Sequence, residues 1–117
     1  MSDSAAGSAN FTLDIAHSGN TVIVRCHGKL VAGVDDVLYR NVKQLLPESK
    51  RIVLDLTDLT RMDSMGLGAV VRLYVSARSV GCTLELINLS KQVRLLLKTA
   101  NLLSAFSTVG EYGIKMC

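Results

Sequence analysis

The stretch "RIVLDLTDLTRMDSMGLGAVV", residues 51–71, joins two structural signals through a boundary. Ile52, Val53, Leu54 and Leu56 make a near-continuous apolar run of strand length, suited to the middle of a sheet whose faces are both covered or nearly so. Further on, Leu67, Val70, Val71, Tyr74, Val75 and Ala77 recur at three- and four-residue intervals, the face of a helix that stops at Gly81. Between the two lie Asp63, Ser64, Gly66 and Gly68, each of which weakens a helix interior. At a helix start four backbone N–H groups lack partners, and an Asp or Ser side chain that accepts from them stabilises by about 1 kcal/mol. The glycines need another reason, since each costs a helical position about 1 kcal/mol relative to Ala. Without side chains there, another backbone or a ligand can come close to the helix start and to the Ser64 hydroxyl.

Upstream, "FTLDIA" alternates Phe11, Leu13 and Ile15 with Thr12 and Asp14, "HSGN" supplies turn chemistry, and "TVIVRCHG" is a second β-branched run, together an antiparallel hairpin. After Gly28 the period changes: Val34, Val37, Leu38, Val42, Leu45 and Leu46 form the stripe of a helix ended near Pro47. Downstream, "CTLELIN" is a strand, and "LSKQVRLLLKTANL" a helix with Ser90 as N-cap and Leu89, Val93, Leu96, Leu97 and Ala100 on one face. "AFSTV" suits a short edge strand, with a helical turn or frayed end after it. The order β-β-α-β-α-β-α implies a single α/β domain with a mixed sheet of four to five strands. Right-handed crossovers collect the first two helices on one face of it. Residues 1–10 are small and polar and are expected to be a mobile tail, which leaves 11–117 as the domain.

A chain of 117 residues with 49% hydrophobic residues can build one core. No apolar run approaches the roughly 18 residues that cross a bilayer, and "MSDSAAGSAN" has neither a basic nor an apolar signal region, so a cytoplasmic location without membrane insertion is expected. The net charge of +3 is small and its cations are dispersed among acids, which argues against nucleic-acid binding. Cys26, Cys82 and Cys117 have neither disulfide-framework nor metal-ligand spacing, and the first two read as buried apolar residues in strands. No metal site is expected.

The boundary admits three readings. Ser64 is a cap and the glycines make room for a neighbouring strand; or "GLG" cradles a phosphate, although it lacks both a third glycine and the Lys-Ser/Thr of a P-loop; or Ser64 is itself the reactive group. As a nucleophile it lacks a partner: His17 and His27 are the only histidines, no motif presents either as a base, and the G-x-S-x-G elbow is missing. No catalytic residue is therefore assigned, and a small nucleotide-binding or hydrolytic enzyme is the weaker alternative. As a phosphate acceptor Ser64 needs only an exposed hydroxyl at a helix N-terminus, where the helix dipole and free N–H groups favour the added charge.

The Asp-Ser-x-Gly-Leu-Gly element after a strand, followed by "AVVRLYVSARSVGCTLELINLSKQVRLLLKTANLLSAF", resembles the STAS domain of bacterial anti-sigma-factor antagonists over residues 11–111. The resemblance implies partner switching in transcription regulation. The unphosphorylated domain binds an anti-sigma factor that is also a serine kinase, so the sigma factor is released. Phosphorylation of the Ser after the Asp, here Ser64, breaks the complex, and a metal-dependent serine phosphatase resets it. Nucleotide and magnesium belong to the kinase, so the domain itself carries no cofactor and is not an enzyme. The partner-binding residues implied are Asp63, Met65, Gly66 and Gly68, with Lys29 and Val31 on the rim. There the family commonly has Gly-Glu-Leu/Ile-Asp and this chain has "GKLV", a charge reversal that bears on partner choice more than on folding. A second reading with the same fold is a STAS subunit or scaffold of a transporter or stress-signalling assembly without phospho-switching. Weak homodimer formation stays open.

Overall fold

The computed structural model describes residues 5–8, 10–100, 106–109 and 113–116, the three short segments as backbone. The elements are β1 (Ala5–Ser8), β2 (Phe11–Ser18), β3 (Thr21–Leu30), α1 (Asp35–Lys43), β4 (Arg51–Met62), α2 (Ser64–Ser79), β5 (Thr83–Ile87), α3 (Lys91–Thr99), β6 (Phe106–Val109) and β7 (Gly113–Met116). They form one sheet in the order β1-β2-β3-β4-β5-β7-β6. Its centre is the expected mixed four-stranded sheet: β2 and β3 are an antiparallel hairpin, while β3, β4 and β5 run parallel. Each parallel pair is joined by a helix, as the geometry of parallel strands requires. The short strands extend this centre, β1 beside β2 and the antiparallel pair β6 and β7 beyond β5.

Alternation in β4 divides the sheet into two unlike faces. Ile52, Leu54 and Leu56 point into one contiguous core with Leu38 and Val42 of α1, Leu67, Val70 and Leu73 of α2, and Val93 and Leu97 of α3. All three helices therefore cover the same face. On the other face Val53 stands outside that core, flanked by ion pairs. Arg25 Nε lies 3.4 Å from Asp55 Oδ2, and Arg51 holds Glu85 through two contacts, Nε to Oε2 at 2.6 Å and an Nη2 hydrogen bond to Oε1 at 2.8 Å. Asp55 and Glu85 are buried on this face, Asp55 among Arg25, Thr57 and Asn88 and Glu85 against Arg51. Burial raises the Asp55 pKa, but the Thr57 hydroxyl and N–H, the Asn88 amide and the Arg25 charge outweigh it and hold the carboxyl below its usual range.

Several expectations change. Within the segment expected to be a tail, Ala5–Ser8 pairs with β2; backbone pairing of small residues leaves no periodic signal. The apolar stripe continues to Leu46, but α1 ends at Lys43, and Leu46–Glu48 tightens into a 3₁₀ turn with Pro47 inside it. The last residues form β7 instead of a helical turn, since β5 offers an edge that only the folded chain brings near. "AFSTV" does supply an edge strand, β6. Val75, assigned to the inner face of α2, is 61% exposed, and Leu73 takes that place. Cys26 and Cys82 are buried and unpaired, as expected, and burial with the nearby Asp55 charge pushes the Cys26 thiol up to about 12. Cys117 lies outside the described residues.

Candidate functional site: the start of helix α2

β4 delivers its chain to the rim of the sheet at Met62, the last residue to point into the core. That end is clamped from α3: the Met62 N–H donates to Gln92 Oε1 at 3.1 Å, and Gln92 Nε2 donates to the Met62 carbonyl at 2.7 Å. α3 itself is capped by Ser90, whose Oγ accepts from the Val93 N–H at 3.2 Å.

Asp63, in extended conformation, is the N-cap of α2. Its Oδ1 accepts from the Met65 and Gly66 N–H groups, both at 3.0 Å, and its Oδ2 accepts from the Ala32 N–H, also at 3.0 Å. Its own N–H donates to the Leu30 carbonyl at 3.3 Å. One carboxylate thus ties the end of β3 to the start of α2. The N–H of Gly66 and then that of Ala32 lower its pKa against a slight opposing effect of burial, with smaller help from the Met65 N–H and the Arg61 charge.

Because Asp63 caps the helix, Ser64 is free of that duty. It is the first residue of α2, it is exposed, and among the described residues its Oγ has no hydrogen-bond partner. Met65, beside it, is 51% exposed. Leu67 turns into the core. The two glycines part company. A Cβ on Gly66 would lie 2.2 Å from the Leu30 carbonyl oxygen, so this glycine is required by the chain's own close packing of α2 on the end of β3. Gly66 is buried, and any contribution to a partner is through the position of the helix. Around a Cβ on Gly68 nothing lies within 4 Å. Its space is open.

Lys29 reaches the same rim through a bulge. Gly28 has φ +97°, and a Cβ there would come within 2.0 Å of the Asn10 carbonyl oxygen, so only glycine fits. The β3–β4 register shifts between Gly28 and Lys29, leaving Lys29 opposite Arg61, with both side chains exposed. Val31, which follows, is half-buried. Sequence reasoning missed Arg61 and Gln92 as parts of this site. Gln92 has no local signal, because its relation to Met62 exists only through the packing of α3, whereas Arg61 is close in sequence and its charge acts on Asp63.

The histidines stay apart from Ser64. His27 turns Nε2 to Asp14 Oδ2 at 2.7 Å and Nδ1 to Asp58 Oδ2 at 3.2 Å, and His17 lies in β2 opposite Val22. Among the described residues no three His, Cys, Asp or Glu side chains group as metal ligands, and no helix is long and apolar enough to cross a membrane. A surface cavity of about 390 Å³ lies against Leu56, Thr57, Asn88, Leu89 and Ser90 and includes none of the residues at the start of α2.

Comparison with known proteins places this geometry. Residues 12–112 match the family described as the STAS domain. The fold is similar to SpoIIAA, an anti-sigma factor antagonist, in its unphosphorylated form, with TM-score 0.68 and 22% identity over 77% of this chain and 81% of that one. SpoIIAA of Bacillus in the phosphorylated form gives 0.65 and 20%, over 77% and 84%. An anti-sigma factor antagonist from Mycobacterium paratuberculosis covers 91% of this chain and 92% of its own, at TM-score 0.76 and 13% identity. A sulfate transporter family protein from Wolinella succinogenes gives TM-score 0.66 and 21% identity, over 77% and 74%. At such identities the likeness is one of fold, common to antagonists and to a transporter-family protein alike. Since the family match spans nearly the whole chain, this protein belongs to the STAS domain family.

Proposed function

We propose that this STAS domain is an anti-sigma-factor antagonist whose switch is phosphorylation of Ser64. STAS domains are typically non-catalytic regulatory modules, and this chain serves as substrate and binding partner. One observation carries the reading: a serine hydroxyl at the first position of a long helix, exposed and unbonded, while the neighbouring aspartate does the capping. A phosphate added there meets the positive end of the helix dipole, so the modified domain stays folded. The same phosphate brings about −1.5 to −2 charges into whatever surface covers Ser64. Leaving such a charge unpaired in an interface costs several kcal/mol, and each ~1.4 kcal/mol is a tenfold loss of affinity.

In this reading the unphosphorylated domain binds an anti-sigma factor that is also a serine kinase. Asp63, Met65, Gly66 and Gly68 form or position the contact surface, and Lys29 and Val31 form its rim. The kinase transfers phosphate to Ser64, the complex separates, and a serine phosphatase restores the hydroxyl. The test is incubation with ATP alone and with the candidate kinase, followed by mass spectrometry of the peptide that contains Ser64. Phosphate is expected on Ser64 only when kinase is present, and Ser64→Asp is expected to bind the kinase at least tenfold more weakly. If Ser64→Asp binds as tightly as the native chain, the switch is wrong. The fold likeness to a transporter-family protein then favours a scaffold or subunit role for the domain.

A further inference from the structure

Helices α2 and α3 touch on the covered face of the sheet, and they hold Arg72, Arg78, Lys91, Arg94 and Lys98 without a single Asp or Glu. Among the described residues every acid belongs to another element or to a turn. Asp35 of α1 pairs with Arg72 at 3.6 Å, and the same guanidinium stacks over the Tyr39 ring of α1 at 4.4 Å, so Arg72 marks the flank of α2 that faces α1. Asp63 stands at the start of α2, about two turns or more from Val71 and Val75. Lys91 and Lys98 are exposed, and among the described residues neither pairs with an acid.

An apolar strip runs between these charges. On α2, Val71, Val75 and Arg78 follow at steps of four and three, which puts them on one line of the helix surface, outside its buried set. On α3, Gln92 is turned to the Met62 backbone just before α2, and Leu96 lies one turn further along that flank. Val71, Tyr74 and Leu96 are partly buried against the core, while Val75 is 61% and Leu95 63% exposed. Lys91, Leu95 and Lys98, again at steps of four and three, form a line of α3 that faces solvent.

We infer that this surface is a docking site for an acidic amphipathic helix of a partner protein, laid along α2 and α3 with apolar residues on Val71, Val75, Leu95 and Leu96 and carboxylates toward Arg78, Lys91 and Lys98. The charge decides the occupant. A second copy would bring the same cations face to face, and a nucleic acid would set its phosphates against Val75 and Leu95. An amphipathic helix offers apolar residues at the same three- and four-residue steps, and acids on its flanks answer the basic borders on both sides. The inference goes beyond the proposed switch, since it uses neither the Ser64 hydroxyl nor the kinase.

The test uses three labelled synthetic peptides of about four helical turns. One carries Leu at steps of three and four with Glu on the flanks, the second has Lys for each Glu, and the third scrambles the first. In fluorescence anisotropy with the unphosphorylated full chain, the acidic amphipathic peptide is expected to bind at least tenfold more tightly than the other two, and more weakly as NaCl rises. Val75→Glu and Lys98→Glu are each expected to weaken it about tenfold, while Lys50→Glu, at the start of β4, stays within about twofold. All three residues are exposed, and circular dichroism checks that each variant is folded. An acidic peptide that binds no better than its scrambled form, or whose affinity ignores both reversals, overturns the proposal. Sedimentation with phosphatidylglycerol vesicles adds one more outcome: binding that Val75→Glu and Lys98→Glu abolish, without binding of the acidic peptide, assigns the surface to an anionic membrane and overturns the acidic helix. Failure of any kinase to modify Ser64 overturns the switch alone, and failure of the peptide to bind overturns this inference alone.

Discussion

Asp63 and Ser64 divide the work at the start of α2, and the division makes each separately testable. Asp63 satisfies three N–H groups from two parts of the chain, so Asp63→Ala is expected to cost about 1–2 kcal/mol of stability, read as a lower melting temperature. The effect depends on pH with a definite sign. Its folded-state pKa is depressed, so its contribution is present above the unfolded value of about 3.9 and fades as pH falls through the folded one. Native and Asp63→Ala melting temperatures should therefore converge below about pH 4. The glycines give an opposed pair. Gly66→Ala forces a methyl group against the Leu30 carbonyl and is expected to destabilise by about 2 kcal/mol or more. Gly68→Ala meets open space in a helix interior and is expected to stabilise by about 0.5–1 kcal/mol. If both variants melt alike, the close packing of α2 on β3 is wrong. Under the proposed function, Gly68→Ala also weakens kinase binding while raising stability, because the added methyl group stands where the partner arrives.

At the level of elements, the site depends on how β4 ends. Gln92 caps both polar atoms of the Met62 backbone from another helix, so Gln92→Ala leaves an N–H and a carbonyl without partners. A loss of about 1–2 kcal/mol is expected, with faster amide exchange at Met62 as its local signature. Unchanged exchange at that amide rules the clamp out. Further along β4 the strand gains residues relative to β3, and the bulge is held by Asp55, Thr57 and Asn88. Asn88 Nδ2 donates to Thr57 Oγ1 at 2.8 Å and to Asp55 Oδ1 at 3.2 Å, from a left-handed backbone of φ +59°. Asn88→Ala loses both bonds and places a less tolerant residue at positive φ, for an expected cost of about 1–3 kcal/mol in denaturant titration.

At the scale of the molecule, three helices on one face of the sheet leave the other to ion pairs, and the candidate site lies at the rim where β3, β4, α2 and α3 converge. The buried thiols report on the intactness of this arrangement. With the Cys26 thiol at about 12, peptide mapping after iodoacetamide treatment at pH 8 should find Cys26 unmodified in the folded chain and modified in denaturant. The alternation of Phe11, Leu13 and Ile15, the helical stripe of Leu38 and Val42, the run of Ile52, Leu54 and Leu56, and the cap residues Asp63 and Ser90 are local patterns. They determined the four central strands, the three helices, the order of these seven and the α/β class by themselves, because burial periodicity and unpaired helix N–H groups are properties of a few neighbouring residues. The tertiary structure decided what depends on distant partners: the pairing of β1 and of β7, the outward turn of Val75, and the need for Gly66 beneath Leu30. It also decided that Lys29 and Arg61 become register partners and that Asp63, not Ser64, caps α2 and leaves the Ser64 hydroxyl unbonded. Those relations join residues tens of positions apart, and only the closed sheet with its packed helices brings their atoms within reach.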